Sequence, residues 1–216
     1  MSFHISDDIS WCVCAGQAVF LDLRRDRYVR LRPEQNALFL QWADTGTEPE
    51  GLDRLAGCGL LTAGAPRPPI AVSHPLPARE AGTEPPRAVR TFDIVRAHLA
   101  WRRSSASLRR RHLADIVCEM EADTGTVPGT DDAEARIARI AAAFASTALS
   151  FRKADQCLPR ALAAWALCRR VGVAPAIVFG VRLEPFAAHC WVQWNDAVVV
   201  GGLEEARMFT PIRVIS

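Results

Sequence analysis

"DQCLPRALAAWALCRRVG", residues 155–172, sets a cysteine at the opening of a helix. Asp155 reads as the N-cap, which leaves Cys157 in the first turn. Pro159 is tolerated there because first-turn N–H groups have no intrahelical acceptor. Leu158, Leu162 and Trp165 fall on one face, and Gly172 closes the helix. A thiol in that turn has two readings. It is a small buried hydrophobe, in which case apolar surroundings hold it protonated. Or it is a nucleophile, because the positive end of a helix lowers a cysteine pKa from about 8.5 to roughly 3.5–7.5.

A nucleophilic cysteine needs a base, and His189 is the histidine of the C-terminal, strand-rich third. It sits in "FAAHCWVQWNDAVVVGG", residues 186–202, where Asn195-Asp196 forms a two-residue hairpin turn. If Trp194 pairs with Ala197, His189 falls opposite Gly202. His189, Trp191 and Gln193 then share one face of the strand, and Cys190 points to the other. A helix-terminal cysteine facing a strand-borne histidine is the arrangement of papain and of transglutaminases.

The rest of the chain supplies a frame for that pair. Its 216 residues, 50% hydrophobic, suffice for one large domain or two small ones. "WCVC", "AVFLDL" and "RYVRL", within residues 11–31, read as short strands separated by Ala15-Gly16-Gln17 and Arg24-Arg25-Asp26. "RPEQNALFLQWAD" reads as a helix with Pro33 in its first turn, and a second short helix follows near "GLDRLAGCGLL". Three strands followed by helices describe a small winged-helix-like module over residues 1–65. Proline density makes residues 66–88 an extended linker, with His74 exposed to solvent.

From residue 89 to 216 the pattern is several helices and then an antiparallel sheet, an α+β domain. Phe92, Val95 and Leu99 form one expected core stripe, and Leu108, Leu113, Ile116, Val117 and Met120 another. A third helix starts at Asp131 with Glu134 three residues on, like a capping box. The expected strands are 176–183, 188–194, 197–201 and 207–215.

Several function classes are disfavoured. A formal charge of +2 makes no case for nucleic acid, and "RRRH" at 109–112 reads as a solvated helix face. No apolar run approaches a membrane span of about 20 residues, and the N-terminus does not resemble a secretory signal, so the expected location is the cytoplasm. The seven cysteines include no C-x-x-C, and Cys12 and Cys14 lie on one face of a strand. No metal site and no cofactor is expected, and no glycine-rich phosphate loop is present.

The run "CLPRALAAWALCRRVGVAPAIVFGVRLEPFAAHCWVQW", residues 157–194, resembles the C-terminal half of the lasso peptide B proteins, leader peptidases of the microcin maturation type. The shared features are C-L-x-R before an apolar helix, a "VFGV" strand, "PF-x-AH-x-W-V" and a closing "FTPI". The resemblance implies a transglutaminase-like, papain-like cysteine peptidase with Cys157 as nucleophile and His189 as base. It also implies that residues 1–65 are a fused PqqD-like precursor-recognition element. Such modules take the leader peptide as an added strand. The expected edge is Arg27–Leu31, flanked by the helix around Leu52–Leu60, with Tyr28, Val29, Leu31 and Leu55 as peptide contacts. Tyr28 and Val29 are equally readable as packing residues. The implied partners are the precursor peptide and an ATP-dependent macrolactam synthetase, with no nucleic acid or membrane.

One departure from that family stands out. Its members carry an aspartate on the strand after histidine, to orient the imidazole. Here the hairpin register brings Gly201 and Gly202 to that position. Asp196, in the turn, would be ~20 Å of strand away at about 3.4 Å per residue. Glu204, Glu205, a backbone carbonyl or a water remain as orienters. The oxyanion donors are expected among the first N–H groups of the helix, with Gln156 either a further donor or a solvated neighbour of the cap. The role of Arg160 is open between site and fold. Two other chemistries also stay open: acyl transfer to an amine, and leader binding without catalysis.

Overall fold

A computed structural model describes residues 2–82, 89–123, 132–148 and 156–216. Asp131 and Asp155, read above as helix caps, lie outside the described residues. In chain order the elements are β1 (Phe3–Ile5), β2 (Ile9–Cys14), β3 (Gln17–Asp22), β4 (Arg27–Arg30), α1 (Pro33–Thr45), α2 (Asp53–Ala56), β5 (Leu61–Ala63) and β6 (Arg79–Glu80). They continue as α3 (Thr91–Leu108), α4 (Leu113–Ala122), α5 (Ala133–Ala148), α6 (Cys157–Arg170), β7 (Ala176–Leu183), β8 (Phe186–Trp194), β9 (Ala197–Val200), α7 (Leu203–Arg207) and β10 (Thr210–Ile215).

The alternation in Trp11-Cys12 and in Phe20-Leu21 gives the first sheet, β2–β3–β4, two different apolar faces. Trp11 and Phe20 pack with Phe39 and Trp42 of α1 and with Leu52, Leu55 and Leu60. The rings of Trp11 and Phe39 meet edge to face at 4.7 Å, and those of Phe20 and Phe39 at 4.8 Å. Cys12, Cys14, Val19, Leu21 and Leu23 face the other way and join the core of the C-terminal half. The Cys14 thiol there points at the Val181 carbonyl, 3.8 Å away. β1 and β5, both missed from the sequence, pair with each other below this module. At three residues each, they are too short to show a period.

The proline-rich segment is not a free tether. Val72 donates its N–H to the Trp11 carbonyl at 2.8 Å. Pro75 accepts from the Gln193 amide at 3.0 Å, and Ala78 donates to the Asp196 carbonyl at 2.8 Å. Arg79 and Glu80 then run parallel to β9 as the outermost strand of the second sheet. The N–H groups of Val72, Ala78, Arg79 and Ala81 thereby find backbone acceptors in the two sheets and the β8–β9 turn. His74 is half-buried rather than exposed, and burial lowers its pKa.

The second sheet has the order β10–β7–β8–β9–β6. Its α6-facing side carries Ile177, Phe179, Val181, Cys190 and Val192. The opposite side carries Val178, Trp191 and Val198 under Ala206 and Phe209. Gly180, paired with His189, lets the sheet close on this side, since a Cβ there would meet Trp191 at 2.6 Å and Phe209 at 2.8 Å.

The expected stripe Phe92-Val95-Leu99 is a correction. These side chains are 67%, 49% and 47% exposed, and α3 turns Ala97, Ala100 and Trp101 inward instead. Small Ala97 lets α3 lie close against α6, a packing preference that periodicity alone cannot rank. The second stripe holds: Ile116, Val117 and Met120 are buried.

Because Leu21 points from the first sheet into the core of the other half, Leu21→Ala should destabilise the whole chain. The expected loss is about 2–5 kcal/mol, read as a lower midpoint of one cooperative denaturant transition.

Candidate active site

Helix α6 lies across β8 with α3 and α5 on its flanks. Gln156 precedes it with near-helical angles, and Cys157 is its first residue. The far end closes as expected, with Gly172 at φ +82° and the Val173 N–H returning to the Cys168 carbonyl at 3.0 Å. Arg160 donates to the Phe144 carbonyl at 3.0 Å, tying α6 to α5. That is a role in the fold.

The position of Cys157 follows from where β9 stops. β8 pairs with β9 only from Val192 to Trp194, whereas it pairs with β7 along its full length. Beside His189 and Cys190 the sheet is therefore open on one side, and the start of α6 fills that opening. The backbone N–H groups of Cys190, Leu158 and Cys157 itself face the sulfur. They favour thiolate, yet burial outweighs them and pushes the thiol up. Of the two readings of this cysteine, the apolar surroundings win over the helix end in setting its charge. The nearby Glu205 carboxylate pushes in the same direction.

His189 is 7% exposed and shares its face with Trp191 and Gln193, as the alternation requires. Its ring lies against Trp191, at 6.0 Å between centroids, and Phe209, at 5.3 Å. Burial lowers its pKa, while Glu205 and the Gly201 carbonyl oppose that shift. Nε2 is 3.0 Å from the Gly201 carbonyl oxygen. A carbonyl only accepts, so Nε2 carries the proton and Nδ1 is the bare, basic nitrogen of the neutral ring. Nδ1 faces Glu205 Oε1 at 3.8 Å.

The sulfur thus approaches from the α6 side and the imidazole from the opposite face of β8. They share the Cys190 peptide and the Glu205 carboxylate as neighbours. Among the described residues no hydrogen bond joins Sγ directly to the ring. Glu205, whose side chain is 57% exposed, lies between open solvent and both groups.

Of the open orienters, the Gly201 carbonyl is the one that meets Nε2. A Cβ on Gly201 would come 2.4 Å from Trp191 Cβ, and its φ of +129° is one that residues with side chains rarely adopt. The backbone itself takes the place where the resemblance of residues 157–194 leads one to expect a carboxylate. Asp196 is engaged elsewhere, paired with Arg79 at 3.1 Å, and Glu204 pairs with Arg207 at 3.4 Å. Gln156 is no solvated neighbour: its carboxamide oxygen accepts from the Trp101 indole at 2.8 Å, which holds the side chain at the start of α6. Nothing in the sequence pairs Trp101 with Gln156, since 55 residues separate them.

The four expected peptide contacts divide. Leu55 is 1% exposed inside the first core, so it cannot meet a peptide at the surface; it faces Phe39 and Trp42 because α2 is amphipathic toward them. Tyr28 is half-buried, and its ring packs edge to face on Phe186 at 5.6 Å, joining the two halves. Val29 and Leu31 are half-buried against the first core. β4 pairs with β3 and, among the described residues, has no strand on its outer edge.

Two outcomes follow. Gly201→Ala should lower stability by about 1–3 kcal/mol through the forced φ and the Trp191 clash, and nitrogen NMR should show His189 losing its Nε2-protonated tautomer. The pH dependence has a defined sign. With the folded-state pKa of His189 below its ordinary 6.5, the neutral ring contributes full stability above pH 6.5. That contribution falls as pH drops from 6.5 to the folded-state value, and the slope of midpoint against pH should flatten there in His189→Gln.

A thiol at a helix start, a neutral histidine on the central strand of an antiparallel sheet, and a fixed acceptor behind that histidine are the elements of thiol-based acyl chemistry. Comparison with curated proteins and with solved structures finds no match. A protein-family model described as the transglutaminase-like superfamily matches residues 92–214, spanning α3 to β10 and including both Cys157 and His189. This chain is a member of the transglutaminase-like superfamily.

Proposed function

We propose that this chain is the leader peptidase of a lasso peptide maturation system. Its first module binds the precursor leader, and Cys157 and His189 cut the leader away. An ATP-dependent macrolactam synthetase then closes the freed chain. The observation that carries the reading is the Nε2 contact to the Gly201 carbonyl at 3.0 Å, which leaves Nδ1 as the basic nitrogen of the ring. Family membership supports thiol chemistry of the peptidase or acyltransferase kind. The motif order from Cys157 to Ile212 supports the narrower reading. The outer edge of β4, unpaired among the described residues, supports strand addition by a leader.

The chemistry starts from a neutral pair. Burial holds Cys157 as thiol and His189 as imidazole. Nδ1 takes the thiol proton as sulfur attacks the scissile carbonyl, so the charges form only as the reaction proceeds. The N–H groups facing the sulfur, together with the Gln156 amide, are the donors for the oxyanion. The imidazolium, steadied by the Gly201 carbonyl, then protonates the leaving amine. Water, deprotonated by the same nitrogen, resolves the thioester into acid and free thiol.

The test is mass analysis of a precursor peptide incubated with the full chain and its synthetase. Cys157→Ala should abolish cleavage while precursor binding persists, and His189→Ala should slow it by about 10²–10⁴. Cleavage that survives Cys157→Ala defeats the reading. An amide product on addition of free amine, in place of the acid, assigns acyl transfer instead.

A further inference from the structure

Between the two halves of the molecule lies a groove of about 900 Å³. Its walls are the β3–β4 turn from Leu23 to Asp26, the outer turns of α3, the connection to α4 and the first turn of α6. Gln156, Leu158 and Pro159, on either side of Cys157 in sequence, form its inner end. Leu23, Arg24 and Asp26, in the turn that leads into β4, also line it, and β4 has no strand on its outer edge among the described residues. The groove therefore spans the interval between the strand that would hold a peptide and the helix start that would cut it.

The lining has a one-sided charge. Arg24, Arg102, Arg109 and Arg111 face it, against the single carboxylate of Asp26. Arg24 is paired with Asp8, and Arg111 with Glu119. Arg102 and Arg109 are exposed, and among the described residues neither has an acidic partner. Arg102 lies in α3 and Arg109 is the residue that caps it in helical conformation, seven positions on, about 10 Å at 1.5 Å per residue. That lies between the roughly 7 Å and 13 Å that separate side chains two and four positions apart on one face of an extended chain. Arg109, read from the sequence as part of a solvated "RRRH" face, thus sits on the wall of a concave site. Two cations left unpaired in a cleft concentrate field there and attract carboxylates.

The geometry points to this groove as the binding site for an acidic segment of the peptide substrate, with Arg102 and Arg109 each meeting a carboxylate on the same face of the extended chain. The inference rests on the peptidase reading for its placement of the scissile bond. Its test reads binding alone, so a failure of cleavage leaves it standing or falling separately.

The probe is a fluorescein-labelled, extended decapeptide carrying two glutamates four residues apart, on one face of the chain, with a glutamine-substituted twin. Anisotropy with the full chain should show at least tenfold tighter binding of the glutamate peptide, weakening as salt is raised. Arg102→Gln with Arg109→Gln should reduce that preference to below threefold. Arg103→Gln with Arg110→Gln removes the same charge from exposed positions outside the groove and should keep it within twofold. Unchanged melting midpoints show that both variants fold. Equal binding of the two peptides, retention of the preference in the first variant, or equal loss in the second each overturns the proposal. So does displacement of the peptide by a single-stranded oligonucleotide of equal charge at lower concentration, which assigns the groove to nucleic acid.

Discussion

Strand β9 leaves the sheet at Val200, and the candidate site depends on that departure. Had β9 continued beside β8, its backbone would occupy the opening that the start of α6 now fills. The two glycines that follow Val200 turn the chain sharply, with φ of +129° and +78°, and carry it into α7. That turn does three things together. It opens the edge of β8 at Cys190, presents the Gly201 carbonyl to His189 Nε2, and brings Glu205 within 3.8 Å of Nδ1.

Electrostatically the site is a neutral thiol beside a neutral imidazole. A helix end alone would favour thiolate, but desolvation is the larger effect at both groups. A carbonyl, rather than a carboxylate, as the acceptor for Nε2 is consistent with this balance. A buried carboxylate behind the ring would favour imidazolium more strongly than a peptide dipole does. The tautomer is still set, because a carbonyl can only accept.

The two halves of the chain are joined by apolar contact. The first sheet is a wall shared between two cores: Trp11 and Phe20 serve one, and Cys12, Cys14, Val19 and Leu21 serve the other. Tyr28 against Phe186 and the hydrogen bonds of residues 72–80 add to that joint. On the proposed reading, a leader added along β4 would lie close to this joint and to the groove beside it.

Local residue types determined much of this in advance. Proline at position 33, the turns at Ala15-Gly16 and Asn195-Asp196, and the alternation from Ala176 to Val200 are short-range signals, so strands β2, β3, β4, β7, β8 and β9 and helices α1 and α6 were legible. So was the pairing of Trp194 with Ala197, because a two-residue turn admits one register. Only tertiary structure decided the outward turn of Phe92, Val95 and Leu99, the burial of Leu55, the hold of Trp101 on Gln156, and the choice of the Gly201 carbonyl over Asp196 and Glu204. The physical reason is common to all four. Each depends on which distant surface presses against a residue, and a helical or strand period specifies a face without specifying its neighbour.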